Sequence, residues 1–124
     1  MQNIIGYEGI ARYLFVSYAH KDSDQVYPVL KFLFDEGYRI WFDKNIELGS
    51  VWNEELQNHI DNAYIFLFFA SKESVKSVFC LEEIQRAIKK EKRIIIVYLE
   101  ECFIEKISDR NFTLEQGVYL YEED

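Results

Sequence analysis

Residues 64–70 read YIFLFFA. The run is too short to cross a membrane and lacks the in-out alternation of a half-exposed strand. A short, continuously apolar segment of this kind is expected of a strand covered on both faces, which calls for a parallel sheet with helices above and below it. Working outward, RIIIVYL at 93–99 has the same character, and RYLFVSY at 12–18 and YRIWF at 38–42 are aromatic and β-branched runs that stop at polar residues. Helical spacing fills the gaps. Val26, Leu30, Leu33 and Phe34 recur at i, i+4, i+7 and i+8, after N-cap oxygens offered by Asp22, Ser23 and Asp24, until Gly37 ends the pattern. Pro28 falls inside or beside the first turn of that helix, where a missing N–H costs little. Trp52, Leu56 and Ile60, spaced by four, make a second helix, and SKESVKS at 71–77 caps a third that runs to about Lys92. A short helix near 102–107 and a fifth strand over GVYLY at 117–121 complete the series. The expected fold is α/β, a flavodoxin-like parallel sheet of about five strands with helices on both faces and right-handed crossovers.

Composition narrows the function. With 124 residues, 49% of them apolar, the chain is expected to be a single domain over 1–124 with a real core, and it has no internal repeat, linker or low-complexity stretch. The acidic YEED end reads either as a frayed tail or as the start of a segment cut away. Fourteen basic against 22 acidic side chains give a net charge of −8, which repels nucleic acid and anionic membrane surfaces, so neither is an expected partner. Cys80 and Cys102 alone are no disulfide framework, and the opening MQNIIGYEGIARY lacks a basic segment followed by an apolar run. A cytoplasmic protein is expected.

Several chemistries have no support in the motifs. Neither G-x-G-x-x-G nor G-x-x-x-x-G-K-[ST] follows the first strand, and Asp43, where a dinucleotide fold places its ribose-binding acid, stands without the glycines that reading needs. A phosphate receiver would carry paired acids after strand one and an aspartate ending strand three. Here those strands end SYAH and FAS. His20, His59, Cys80 and Cys102 show no metal-ligand spacing, so no metal is expected, and two scattered histidines make no Ser-His-Asp arrangement.

Three boxes, in order, resemble the Toll/interleukin-1 receptor (TIR) domain in its bacterial form. YLFVSYAHKDSD (13–24) resembles the first-strand box, GYRIWFDKNIELGSVW (37–52) resembles strand two with the BB loop at 43–50, and SVFCLEEIQRAI (77–88) resembles the aromatic-Cys-x-x-Glu helix. The resemblance covers roughly residues 10–100. It implies one of two occupations, since some TIR domains are adaptors that only assemble while others hydrolyse or cyclise NAD+ with a single glutamate in the third box. The NAD-cleaving branch is the preferred expectation, an NAD+ glycohydrolase with cyclase capability in bacterial anti-phage or stress signalling. The alternative is a non-catalytic TIR–TIR interaction module. NAD+ would be the substrate, with no further cofactor, and other TIR domains the partners, by self-assembly through the BB loop.

Aligned on Cys80, the family glutamate falls on Glu83. On a helical wheel Leu81, Ile84, Ala87 and Ile88 define an apolar stripe, with Glu83 at its margin on the side of Phe79. Glu82 lies across the helix, four residues from Arg86, as an ordinary solvated pair would. One carboxylate suffices for the implied chemistry. Expelling neutral nicotinamide from a cationic ring builds an oxocarbenium-like centre that a nearby anion stabilises. The resemblance further assigns Tyr18, Ala19 and His20 to the start of the cleft, Asp43 and Glu47 to the BB loop, and Trp52 and Phe79 to aromatic walls. Lys21, Lys44, Lys72 or helix N-termini would supply positive potential for the pyrophosphate. Phe79 departs from the Trp, and Leu48-Gly49 from the Pro-Gly, that many members carry.

Overall fold

The computed structural model describes residues 12–42, 54–102, 104 and 116–119. Among these, five strands form one parallel sheet: β1 (Leu14–Ser17), β2 (Ile40–Phe42), β3 (Ile65–Ala70), β4 (Arg93–Tyr98) and β5 (Gln116–Tyr119). Their spatial order is β2-β1-β3-β4-β5. Helices α1 (Ser23–Asp35), α2 (Glu54–Asp61) and α3 (Val78–Lys89) fill three crossovers. The short helix expected near 102–107 and the BB loop lie outside the described residues.

Strand alternation sorts the side chains into two cores. Phe15, Trp41, Phe66, Phe68, Ile94 and Ile96 face α2 and α3, while Val16, Ile40, Phe42, Leu67, Phe69 and Val97 face α1. The expected two-sided cover is present over Ile65–Ala70, with Phe66, Phe68 and Phe69 wholly buried, whereas Tyr64 precedes the strand and is exposed. On the α2/α3 side, register pairs Phe15 with Trp41 and with Phe66, and the rings stack at centroid distances of 5.1 and 5.4 Å. Trp41 also stacks on His59 of α2 at 4.1 Å.

Helix α1 departs from its sequence pattern in three respects. Phe34, expected in the core, is 37% exposed, and the buried stripe is the narrower set Val26 and Leu30, with Leu33 packed beside them. Asp22 sits at the N-cap but makes no capping hydrogen bond, because its carboxylate accepts from Ser71 Oγ after β3 instead. Pro28 lies inside the helix beyond its first turn, so the Asp24 carbonyl lacks its usual i+4 donor. Gly37 ends the helix as expected, at φ 94°. Its N–H donates to Phe34 O, and Tyr38 N–H to Leu33 O.

Helix α3 starts as its serine-rich prelude predicts, with Ser77 Oγ accepting from Cys80 N–H at 3.3 Å. It ends on a non-glycine residue in the left-handed region, Glu91 at φ 55°, where Lys92 N–H closes onto Ala87 O. That conformation strains any side chain carrying a Cβ. Glu91→Gly is therefore expected to stabilise the domain by about 0.5–1 kcal/mol, read as a higher denaturant midpoint. An unchanged or lower midpoint would contradict it.

Arg86 does not pair with Glu82 as its spacing suggested. Its Nε and Nη2 fork onto the Asp61 carboxylate of α2 at 2.8 and 2.7 Å, a planar match that clamps α2 to α3. The Arg86 hydrogen bond holds the Asp61 carboxyl below its ordinary range, so this clamp's contribution is full above the ordinary range and is lost as pH falls from there through the lowered folded-state value.

Candidate functional site

In a sheet of this order the chain turns outward in opposite directions from β1 and β3, which opens a crevice at their carboxyl ends. Ser17 is the last residue of β1 and pairs in register with Phe68 of β3. It follows Phe15 at the two-residue strand period and so faces α3. Across from it, Cys80, Glu83, Ile84 and Ala87 form the buried stripe of α3 at i, i+3, i+4 and i+7. Glu83 is thus not marginal, as the wheel drawn through Leu81 had it. It is 2% exposed, and Leu81 is only partly buried. The wheel misplaced it because it was drawn through the obvious hydrophobes and passed over the small thiol of Cys80.

A buried carboxylate needs a donor. Ser17 Oγ donates to Glu83 Oε1 at 2.6 Å, between residues 66 apart in sequence. Ser17 lies directly before Tyr18, Ala19 and His20, the residues of this box expected at the site, and was not among them. Its one signal was a small hydroxyl in an otherwise apolar strand. Cys80, on the same helix face, has its thiol pushed up to about 12, first by burial and then by the Glu83 charge, so it remains a neutral thiol.

The other expected site residues divide. Ala19 is buried in the core that faces α2 and α3. Tyr18 falls on the opposite face of the sheet, packed edge-on to Tyr27 of α1, because neighbouring strand residues point in opposite directions. His20 is exposed, its ring 3.4 Å from Ser23 Oγ. Phe79, partly buried one turn before Glu83, belongs to neither core cluster. Asp43, Glu47, Trp52 and Lys44 lie outside the described residues.

Just beyond the carboxyl end of β3, two buried serines bond each other and the strand. Ser74 Oγ accepts from Ser71 N–H at 2.8 Å and donates to Phe69 O at 2.8 Å, while Ser71 Oγ accepts from Ser74 N–H at 3.0 Å. Burial raises the Asp22 carboxyl above its ordinary range; Ser71 opposes this, and Glu100 and Glu73 add to it. Of the lysines expected to supply positive potential for a pyrophosphate, Lys21 stands 3.6 Å from Glu73, and Lys72 is exposed with its backbone N–H on Glu100. Among the described residues, no three His, Cys, Asp or Glu side chains are grouped as a metal site, and no helix is long and apolar enough to cross a membrane.

Comparison with known proteins agrees with this architecture. The TIR domain family model matches residues 14–120, and the chain belongs to that family. Among solved structures it is similar to the TIR domains of the activated Roq1 resistosome directly recognizing the pathogen effector XopQ, with a TM-score of 0.65 and 21% identity. The match covers 74% of this chain and 60% of that one, so this chain spans about three fifths of its structural relative. No curated protein gives a significant sequence match.

Proposed function

We propose that this domain cleaves NAD+ at the bond between nicotinamide and ribose, with Glu83 as the catalytic carboxylate. The products are nicotinamide and ADP-ribose or a cyclic ADP-ribose, and the setting is anti-phage or stress signalling in the bacterial cytoplasm. The observation that carries this reading is a buried carboxylate that accepts a hydrogen bond from a strand-end hydroxyl at the carboxyl end of a parallel sheet. That is where open α/β sheets bind ligands. An anion fixed there suits a reaction whose transition state gains positive charge on the ribose.

At 2% exposure Glu83 meets a substrate only when the groups covering it move. Self-assembly through residues 43–50 supplies that movement in this reading. The fold shared with TIR domains of an activated resistosome supports assembly as the active state. The test is incubation of the protein with NAD+ at increasing protein concentration, with nicotinamide and ribosyl products separated by chromatography. Release that rises more steeply than protein concentration supports the proposal. Association without any release would instead support a non-catalytic interaction module, a reading favoured by the burial of Glu83 and the acidic groups around the crevice.

Phe79 provides a check on the aromatic wall. In this reading Phe79→Leu lowers kcat/KM about tenfold, the equivalent of a stacking contact of roughly 1–3 kcal/mol, with little change in melting temperature. Phe79→Trp retains or raises activity. A sharp fall in stability with unchanged activity per folded molecule would make Phe79 a packing residue.

A further inference from the structure

We propose that Ser17 is a positioning residue that sets the rotamer of the Glu83 carboxylate for bond cleavage; this rests on the reading of Glu83 as the catalytic group. The two side chains are 1% and 2% exposed, so neither exchanges its partner for bulk water. Their separation of 2.6 Å lies in the range of an O–H donor on a carboxylate, about 2.5–2.7 Å. A glutamate reaches its target through three rotatable bonds, and one helix cannot define where the carboxylate ends. The donor comes from β1, a strand hydrogen-bonded on both sides, to β2 and to β3. Pairing with Phe68 of β3 therefore fixes the Ser17 backbone, a single rotatable bond places its hydroxyl, and the hydrogen bond transmits that position to Oε1. Phe15, on the same strand face two residues earlier, is wholly buried and stacked on Phe66, which anchors β1 against lateral shift.

A purely structural hydroxyl would affect stability and leave turnover per folded molecule unchanged. A positioning hydroxyl acts on turnover. Ser17→Ala, Ser17→Cys and Ser17→Thr are compared with wild type for nicotinamide release from NAD+, with kcat and KM separated and the folded fraction measured by circular dichroism. A lost hydrogen bond to a charged group predicts that Ser17→Ala lowers kcat about 10- to 100-fold with KM changed less than about twofold. Ser17→Cys, similar in size but a weak donor, falls between, and Ser17→Thr, which restores the hydroxyl, recovers most of kcat. Should the alanine variant fail to fold, the cysteine and threonine variants carry the same comparison. An active wild type whose Ser17→Ala or Ser17→Cys variant keeps kcat within about twofold overturns the role of Ser17 alone. A wild type that releases no nicotinamide at any concentration overturns the NAD+ reading, and this inference with it.

Discussion

Glu83→Gln is expected to reduce nicotinamide release from NAD+ by at least about 100-fold, the scale on which removal of a single preorganised electrostatic group costs an enzyme its turnover. The substitution keeps size and shape, and the amide oxygen still accepts from Ser17, so the Ser17 contact at 2.6 Å loses its charge rather than its geometry. The fold should survive. Glu83→Ala is a poorer probe, since it leaves a cavity inside α3's buried stripe and removes the carboxylate acceptor of Ser17, and it is expected to cost about 1–3 kcal/mol of stability as well. Glu82→Gln, on a partly buried residue outside that stripe, should leave activity within about twofold of wild type. Equal losses at Glu82 and Glu83 with unchanged circular dichroism would remove Glu83 from the catalytic role.

The largest effect on stability is expected at Phe15. Its ring is wholly buried and is an inner member of a column of four that runs from Phe66 through Phe15 to Trp41 and His59, across three strands and α2. Truncation to alanine removes the buried ring and both of its stacks at once. Large-to-small aromatic changes cost about 3–5 kcal/mol, and the lost ring pairs place Phe15→Ala at the upper end of that range. For a domain of this size that is a large share of a total stability of about 5–15 kcal/mol. The measurement is equilibrium denaturation with urea. A loss below about 2 kcal/mol would mean that the column relaxes around the gap, and that the central pair of strands is held chiefly by the α1 side of the sheet.

Legibility followed the range of the forces involved. The continuously apolar run at 64–70, its counterpart at 93–99 and the serines before α3 each encode their own secondary structure, because strand burial and helix capping are decided within a few residues. The parallel sheet and its helices were readable from these. The third box singled out Glu83 through its resemblance to the TIR family, although the wheel set it too near the helix margin. Side-chain partners on different elements were not readable. Ser17 with Glu83, Asp22 with Ser71 and Arg86 with Asp61 are separated by 66, 49 and 25 residues. Asp22 was expected to cap its own helix and Arg86 to pair with Glu82, since local spacing allowed both. Strand register and the packing of α2 against α3 offered each a better partner: a buried serine hydroxyl for Asp22 and a planar carboxylate for Arg86. A residue's type and near neighbours thus determined which chemistry it could perform. Only the crossovers, which bring β1, β3 and α3 to one edge of the sheet, decided which groups meet, because the free energy of a buried polar pair depends on a mutual geometry that no short stretch of chain contains.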